Sequence, residues 1–123
     1  MTILGIFMNN EIRTGANRRY LELLEGLAER GNTVRVIMNS YLAYQPEHFE
    51  KICIPIHYKR HQFPPLSLLV SRRIRRMRND LLHTIAGTDW IHLHSDINLS
   101  AALYLKKLTG AKFCFAVRND DIT

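Results

Sequence analysis

The 123-residue sequence predicts a single α/β domain whose strands form a mainly parallel sheet. Short apolar runs rich in β-formers alternate with longer stretches whose apolar residues recur at helical spacing. Glycines stand where those helices should end, at Gly31, Gly87 and Gly110. The opening strand, helix and strand occupy Thr2 to Met38, the length and order of a right-handed βαβ crossover.

"TILGIFM", Thr2 to Met8, has almost no polar alternation, as a strand buried on both faces requires. After the loop "NNEIRTG", the segment "ANRRYLELLEGLAERG" places Tyr20, Leu23, Leu24, Leu27 and Ala28 on one helical stripe, with Arg18, Arg19, Glu22 and Glu29 away from it. Thr33 to Met38 is the second strand. Asn39 to Glu50 is polar and aperiodic. Ile52 to Tyr58 reads as an edge strand, because Pro55 removes a ladder donor. One long helix is expected from Leu66 to Ile85, since Leu66, Val70, Ile74, Met77, Leu81 and Ile85 step by four and three. Asp89 to His94 is the next strand. Asn98 can cap a helix that buries Leu99, Ala102, Leu103 and Leu108, and Ala111 to Val117 is the last strand. The alternation predicts a Rossmann-like three-layer domain, with ligands bound outside the carboxyl ends of its strands. That rule selects Asn9 to Ala16, Ser95 to Asn98 and Arg118 to Thr123.

A composition 46% hydrophobic and 23% charged, with no apolar run of membrane length, excludes a disordered chain and an integral membrane segment. "MTILGIFMNN" lacks the basic start of a signal peptide. Cys53 and Cys114 lie far apart within apolar runs, without metal-type spacing, and read as two buried, reduced thiols. A cytoplasmic location is expected. The excess of 17 Lys+Arg over 11 Asp+Glu is concentrated in "SRRIRRMR", Ser71 to Arg78. Arg72, Arg73, Arg75 and Arg76 form either a solvated face or a contact for anionic lipid headgroups on the inner face of the membrane. Nucleic acid is not expected, because aromatic residues are not interleaved with the arginines.

Thr14-Gly15-Ala16 opens the first helix, where free N–H groups suit a phosphate or sugar hydroxyls; a plain tight turn is the alternative. Neither GxGxxG nor GxxxxGK[ST] occurs. His92 and His94 share one strand face. Without a third ligand at suitable spacing they read as structural, hydrogen-bonded histidines rather than a metal pair, although His94, nearest the carboxyl end, could donate to a ligand oxygen. Arg118, Asp120 and Asp121 follow the last strand and suit a phosphorylated, polyhydroxylated ligand, or else form a solvated chain end.

In order and spacing these segments resemble the amino-terminal domain of GT-B-fold retaining glycosyltransferases of the family 4 type. The family's helix ending in "LAxRGHEV" is matched through Leu27, Ala28, Arg30, Gly31 and Val34, with Thr14-Gly15 where the family has Gly-Gly. Its "D(V/I)(V/I)HxH" strand is matched by "DWIHLH", with Trp90 as a departure, and its later Gly, Arg and Asp by Gly110, Arg118 and Asp121. The resemblance implies that Gly15 faces a donor diphosphate or an acceptor, and that His94, Arg118 and Asp121 line the acceptor side. It implies a nucleotide-sugar donor as substrate, a sugar or lipid-linked acceptor, no separate cofactor and no metal. It assigns no catalytic residue, and implies that the donor-binding carboxyl-terminal domain is absent, so that this fragment alone does not transfer sugar. The rival expectations are a non-catalytic Rossmann-like or flavodoxin-like ligand-binding domain and a basic nucleic-acid-binding module.

Overall fold

The computed structural model describes residues 1–9, 12, 15–57, 65–93 and 99–115. In chain order it contains β1 (Thr2–Phe7), α1 (Gly15–Glu29), β2 (Thr33–Asn39), β3 (Glu50–Ile54), α2 (Leu66–Arg76), α3 (Arg78–Ile85), β4 (Trp90–Leu93), α4 (Leu99–Thr109) and β5 (Lys112–Phe115). The strands form one sheet in the order β3-β2-β1-β4-β5. Every neighbouring pair is parallel. The chain is therefore a three-layer α/β domain of the Rossmann type, as its alternating pattern predicts.

Both faces of the sheet are buried, which is why β1 shows no polar alternation. Leu4, Ile6 and Met8 point into a core built with Val70 and Ile74 of α2, Leu81 and Ile85 of α3, and Ala101, Ala102 and Leu105 of α4. Ile3 and Phe7 point the other way, to Tyr20, Leu21 and Leu24 of α1 and to Val34, Val36 and Met38 of β2.

The structure corrects several boundaries and faces. β3 ends at Ile54, immediately before Pro55, so the proline terminates the edge strand rather than sitting inside it. The expected single helix from Leu66 to Ile85 is broken at Met77, whose φ of −92° and ψ of 13° leave the helical region. The break preserves the buried face: the Met77 N–H still donates to Arg73 O at 3.1 Å, and its carbonyl accepts from Leu81 N at 2.9 Å. Leu23 is 43% exposed and Leu103 52% exposed, against expectation, and the cysteines expected to be buried are not, Cys53 being exposed on the edge strand β3 and Cys114 half-buried. At 3.6 residues per turn Leu23 lies about 110° from the centre of the stripe formed by Asn17, Tyr20, Leu21 and Leu24, and Leu103 lies about 150° from that of Ala101, Ala102 and Leu105. The expected parts of the last strand at 116–117 and the Asn98 cap lie outside the described residues.

Two polar devices set how α1 and the strands meet. Asp89, just before β4, donates its N–H to Thr2 O and accepts from Thr2 N through Oδ2, both at 2.8 Å, while its carbonyl accepts from Lys112 N at 3.0 Å. It thereby ties together the amino ends of β1, β4 and β5. Near the middle of the sheet, the buried Tyr20 hydroxyl donates to His92 O at 2.7 Å and accepts from Ile6 N at 3.3 Å. Residue 5 makes this possible. A Cβ added to Gly5 would lie 3.0 Å from Leu24 Cδ1 and 3.1 Å from Tyr20 Oη.

Gly5→Ala should therefore push α1 off the sheet and destabilise the fold by about 1–3 kcal/mol in urea denaturation. Burial drives the Tyr20 hydroxyl well above the ordinary tyrosine range, with the Ile6 N–H bond opposing the shift. The stability from its protonated form is complete below the unfolded-state value of about 10 and is lost as pH rises beyond it. The urea midpoint should fall as pH rises beyond about 10, and Tyr20→Phe, itself destabilising by about 1–2 kcal/mol near neutrality, should flatten that fall.

Candidate functional site

In the strand order β3-β2-β1-β4-β5 the chain leaving β1 runs toward β2 on one side, while the chain leaving its neighbour β4 runs toward β5 on the other. The crevice at the carboxyl ends of β1 and β4 is thus the topological switch point, where open parallel sheets bind ligands. Ile6 of β1 pairs in register with Leu93 of β4, and Leu93 with Phe115 of β5. Three adjacent strands therefore end side by side, about 4.8 Å apart. The segments that follow them carry the sequence-selected residues.

Gly15 is the first residue of α1 and is exposed. Among the described residues, a Cβ added there would meet only Arg19 Nη2, at 3.6 Å, an ordinary contact. Unlike Gly5, it is not crowded by the described protein atoms. Thr14, His94, Arg118 and Asp121 lie outside the described residues. The sequence nevertheless attaches residue 94 directly to Leu93 and residue 118 three positions beyond Phe115, at adjacent strand ends.

The "DWIHLH" segment separates into three roles. Asp89 clamps the amino edge, away from the crevice. His92 is 7% exposed and packs against Tyr20 with ring centroids 5.4 Å apart, a core position. Ile91 and Leu93 belong to the opposite core. His94 alone of the pair adjoins the carboxyl edge in sequence.

Asn39, the last residue of β2, has no exposed surface and was not singled out by sequence reasoning. Its Nδ2 donates to Ile56 O at 2.7 Å and Met8 O at 3.5 Å. Its Oδ1 accepts from Tyr41 N at 3.1 Å and Ile56 N at 3.3 Å. One carboxamide thus joins the chain just beyond β1 to the chain just beyond β3, supporting the carboxyl edge. The available signal was a polar side chain closing an apolar strand; its partners Met8 and Ile56 are remote in sequence and were not legible.

A second feature lies farther along α1. A groove of about 390 Å³ is lined by residues including Glu22, Glu25, Glu29, Tyr44, Glu47 and His48. Ligand atoms of Glu25, Glu47 and His48 lie within 4.8 Å of one another. The Glu25 carboxylate already accepts the His48 N–H at 2.9 Å and the Glu47 N–H at 3.2 Å, so it anchors the β2–β3 connection to α1. Burial raises the Tyr44 hydroxyl pKa, reinforced by the charges of Glu25, Glu47 and Glu22. Ten residues separate Gly15 from Glu25, about 15 Å along the helix, so this groove is distinct from the switch point.

The family profile for Glycosyltransferase Family 4 matches residues 13–121. No curated protein matches the chain. Among solved structures, two of the C-terminal domain of the PF1911 hydrogenase from Pyrococcus furiosus are similar. One has a TM-score of 0.60 at 14% identity, covering 94% of this chain and 91% of that one. The other has a TM-score of 0.56 at 13% identity, covering 94% and 90%. At such identity the likeness is one of fold. The profile match spans most of the chain, and the chain belongs to glycosyltransferase family 4.

Asn39→Asp should destabilise more than Asn39→Ala at neutral pH, because a carboxylate would face the Met8 and Ile56 carbonyls that the amide now satisfies. Thermal or urea unfolding should give about 2–4 kcal/mol for the alanine variant and more for aspartate, with the aspartate deficit shrinking in acid.

Proposed function

We propose that this family 4 chain is the acceptor-side domain of a glycosyltransferase that moves a sugar from a nucleotide-activated donor to an acceptor hydroxyl. The carrying observation is Gly15, exposed at the first turn of α1 in the segment that leaves the switch point, where no atom of the described residues requires its side chain to be missing. A glycine kept open at a helix amino terminus lets a phosphate or sugar approach the backbone N–H groups closely. In this reading Thr14 and Gly15 meet the ligand from the β1 side, His94 donates to a ligand oxygen beyond β4, and Arg118 and Asp121 contact charged groups and hydroxyls beyond β5. Rate acceleration comes from holding donor and acceptor in line and stabilising charge on the departing diphosphate. A carboxyl-terminal domain of the GT-B type supplies the donor-binding wall.

The reading is tested by expressing the longest product of the reading frame and assaying sugar transfer and donor hydrolysis across a panel of nucleotide sugars. Turnover of one donor is expected, and Gly15→Ala should lower kcat/KM at least about tenfold, or about 1.4 kcal/mol, without lowering the thermal midpoint. Nucleotide-sugar binding without turnover would favour a non-catalytic ligand-binding domain. Neither binding nor turnover would remove the transferase reading.

A further inference from the structure

The layer formed by α2 and α4 has an unusual outer surface. Helix α2 buries Leu66, Val70, Ser71 and Ile74, which turns Leu68, Arg72, Arg75 and Arg76 outward, with Arg73 at the flank; all five are exposed. Helix α4 buries Ala101, Ala102 and Leu105 and exposes Leu103, Lys106 and Lys107. The two helices meet along a seam in which Ser71 Oγ lies 3.2 Å from Ser100 Oγ and, one turn on, the Arg75 guanidinium sits 4.7 Å from the Tyr104 ring centroid. Their outer faces therefore join into one surface with six cations. Neither helix contains an acidic residue. The ion pairs found among the described residues, Arg35–Glu50 and His48–Glu47, lie elsewhere. The neighbouring helix α3 carries one further arginine, Arg78, and one acidic residue, Asp80.

The other face of the domain is different. There α1 carries Arg18 and Arg19 near its start, then Glu22, Glu25 and Glu29, with Glu47 across the groove. Among the described residues, cations without acidic neighbours on their own helices gather on one side of the sheet while the other side is mixed, which gives this part of the molecule a preferred orientation in the field of an anionic plane.

We propose that the α2–α4 surface docks on an anionic lipid bilayer. Two observations favour lipid over nucleic acid. Leu68 and Leu103, 43% and 52% exposed, stand among the cations, where they can enter the headgroup boundary but would read nothing on a polynucleotide. Tyr104, the aromatic residue of α4, is covered by Arg75 instead of lying open as a stacking platform. Contact is peripheral: no helix among the described residues is long and apolar enough to cross a membrane. This contact does not depend on the transferase reading.

Sedimentation of the chain with phosphatidylcholine vesicles, with and without about 30% phosphatidylglycerol, tests the proposal. Binding is expected only to the anionic vesicles, weakening as salt shortens the Debye length. Each cation should contribute about fivefold to partitioning, so Arg72→Gln, Arg73→Gln, Arg75→Gln and Arg76→Gln together should lower it on the order of several hundredfold. On the neighbouring helix, Lys106→Gln with Lys107→Gln should lower it about 25-fold, an independent check if the fourfold variant folds poorly. Leu68→Ser with Leu103→Ser should remove the binding that persists at high salt. Glu22→Gln with Glu29→Gln, on the opposite face, should not weaken it. Failure to bind anionic vesicles, equal binding to neutral ones, or full binding by both cation variants would overturn the proposal, as would preferential, salt-steep binding of RNA or DNA.

Discussion

The structure depends on a missing side chain. Because Gly5 has no Cβ, the Tyr20 hydroxyl can descend onto the backbone of β1 and β4 and bond to both, bringing Leu24 against the sheet beside it. This contact fixes the height of α1 over the sheet, and with it the position of Gly15, which lies on the same rigid helix. The phenol adds a directional requirement that packing alone would lack. Its hydroxyl is buried and must be bonded, so helix and sheet lock at one register.

The two edges of the sheet are held by different chemistry. At the amino edge Asp89 uses its backbone and its carboxylate to align β1, β4 and β5. At the carboxyl edge the Asn39 carboxamide joins chain segments beyond β1 and β3, donating and accepting at once. An aspartate suits the first position, where an N–H needs an acceptor. An amide suits the second, where carbonyls and N–H groups both converge. With the strands so aligned, the switch point between β1 and β4 has firm walls, and loops leaving it can specialise for a ligand without carrying the fold.

The helical layers have divided the remaining surface. One side presents an acidic groove around α1, and the other presents arginines and lysines over α2 and α4. Core packing determines this division, since the buried stripe of each helix dictates which charges face outward. The arginines leave the core untouched, and the two leucines among them are exposed because they lie off their helices' buried stripes.

The sequence by itself determined the alternation of strands and helices, the edge position of the strand next to Pro55, the burial of β1 on both faces and the family, because these follow from local periodicity, backbone restrictions and motif spacing. It also singled out Gly15 and the segments after β4 and β5 as candidate ligand positions. Periodicity was less able to separate Leu21 from Leu23 or Leu105 from Leu103, since in a leucine-rich helix neighbouring phases score alike and only the facing sheet chooses between them. It could not foresee the break at Met77, which interrupts an otherwise continuous apolar stripe. The reach of Tyr20 past Gly5 to His92, the Asn39 clamp and the union of the α2 and α4 cations into one surface were decided by tertiary structure alone. Each joins residues distant in the chain, and a hydrogen bond or a shared surface between distant residues leaves no period in the sequence.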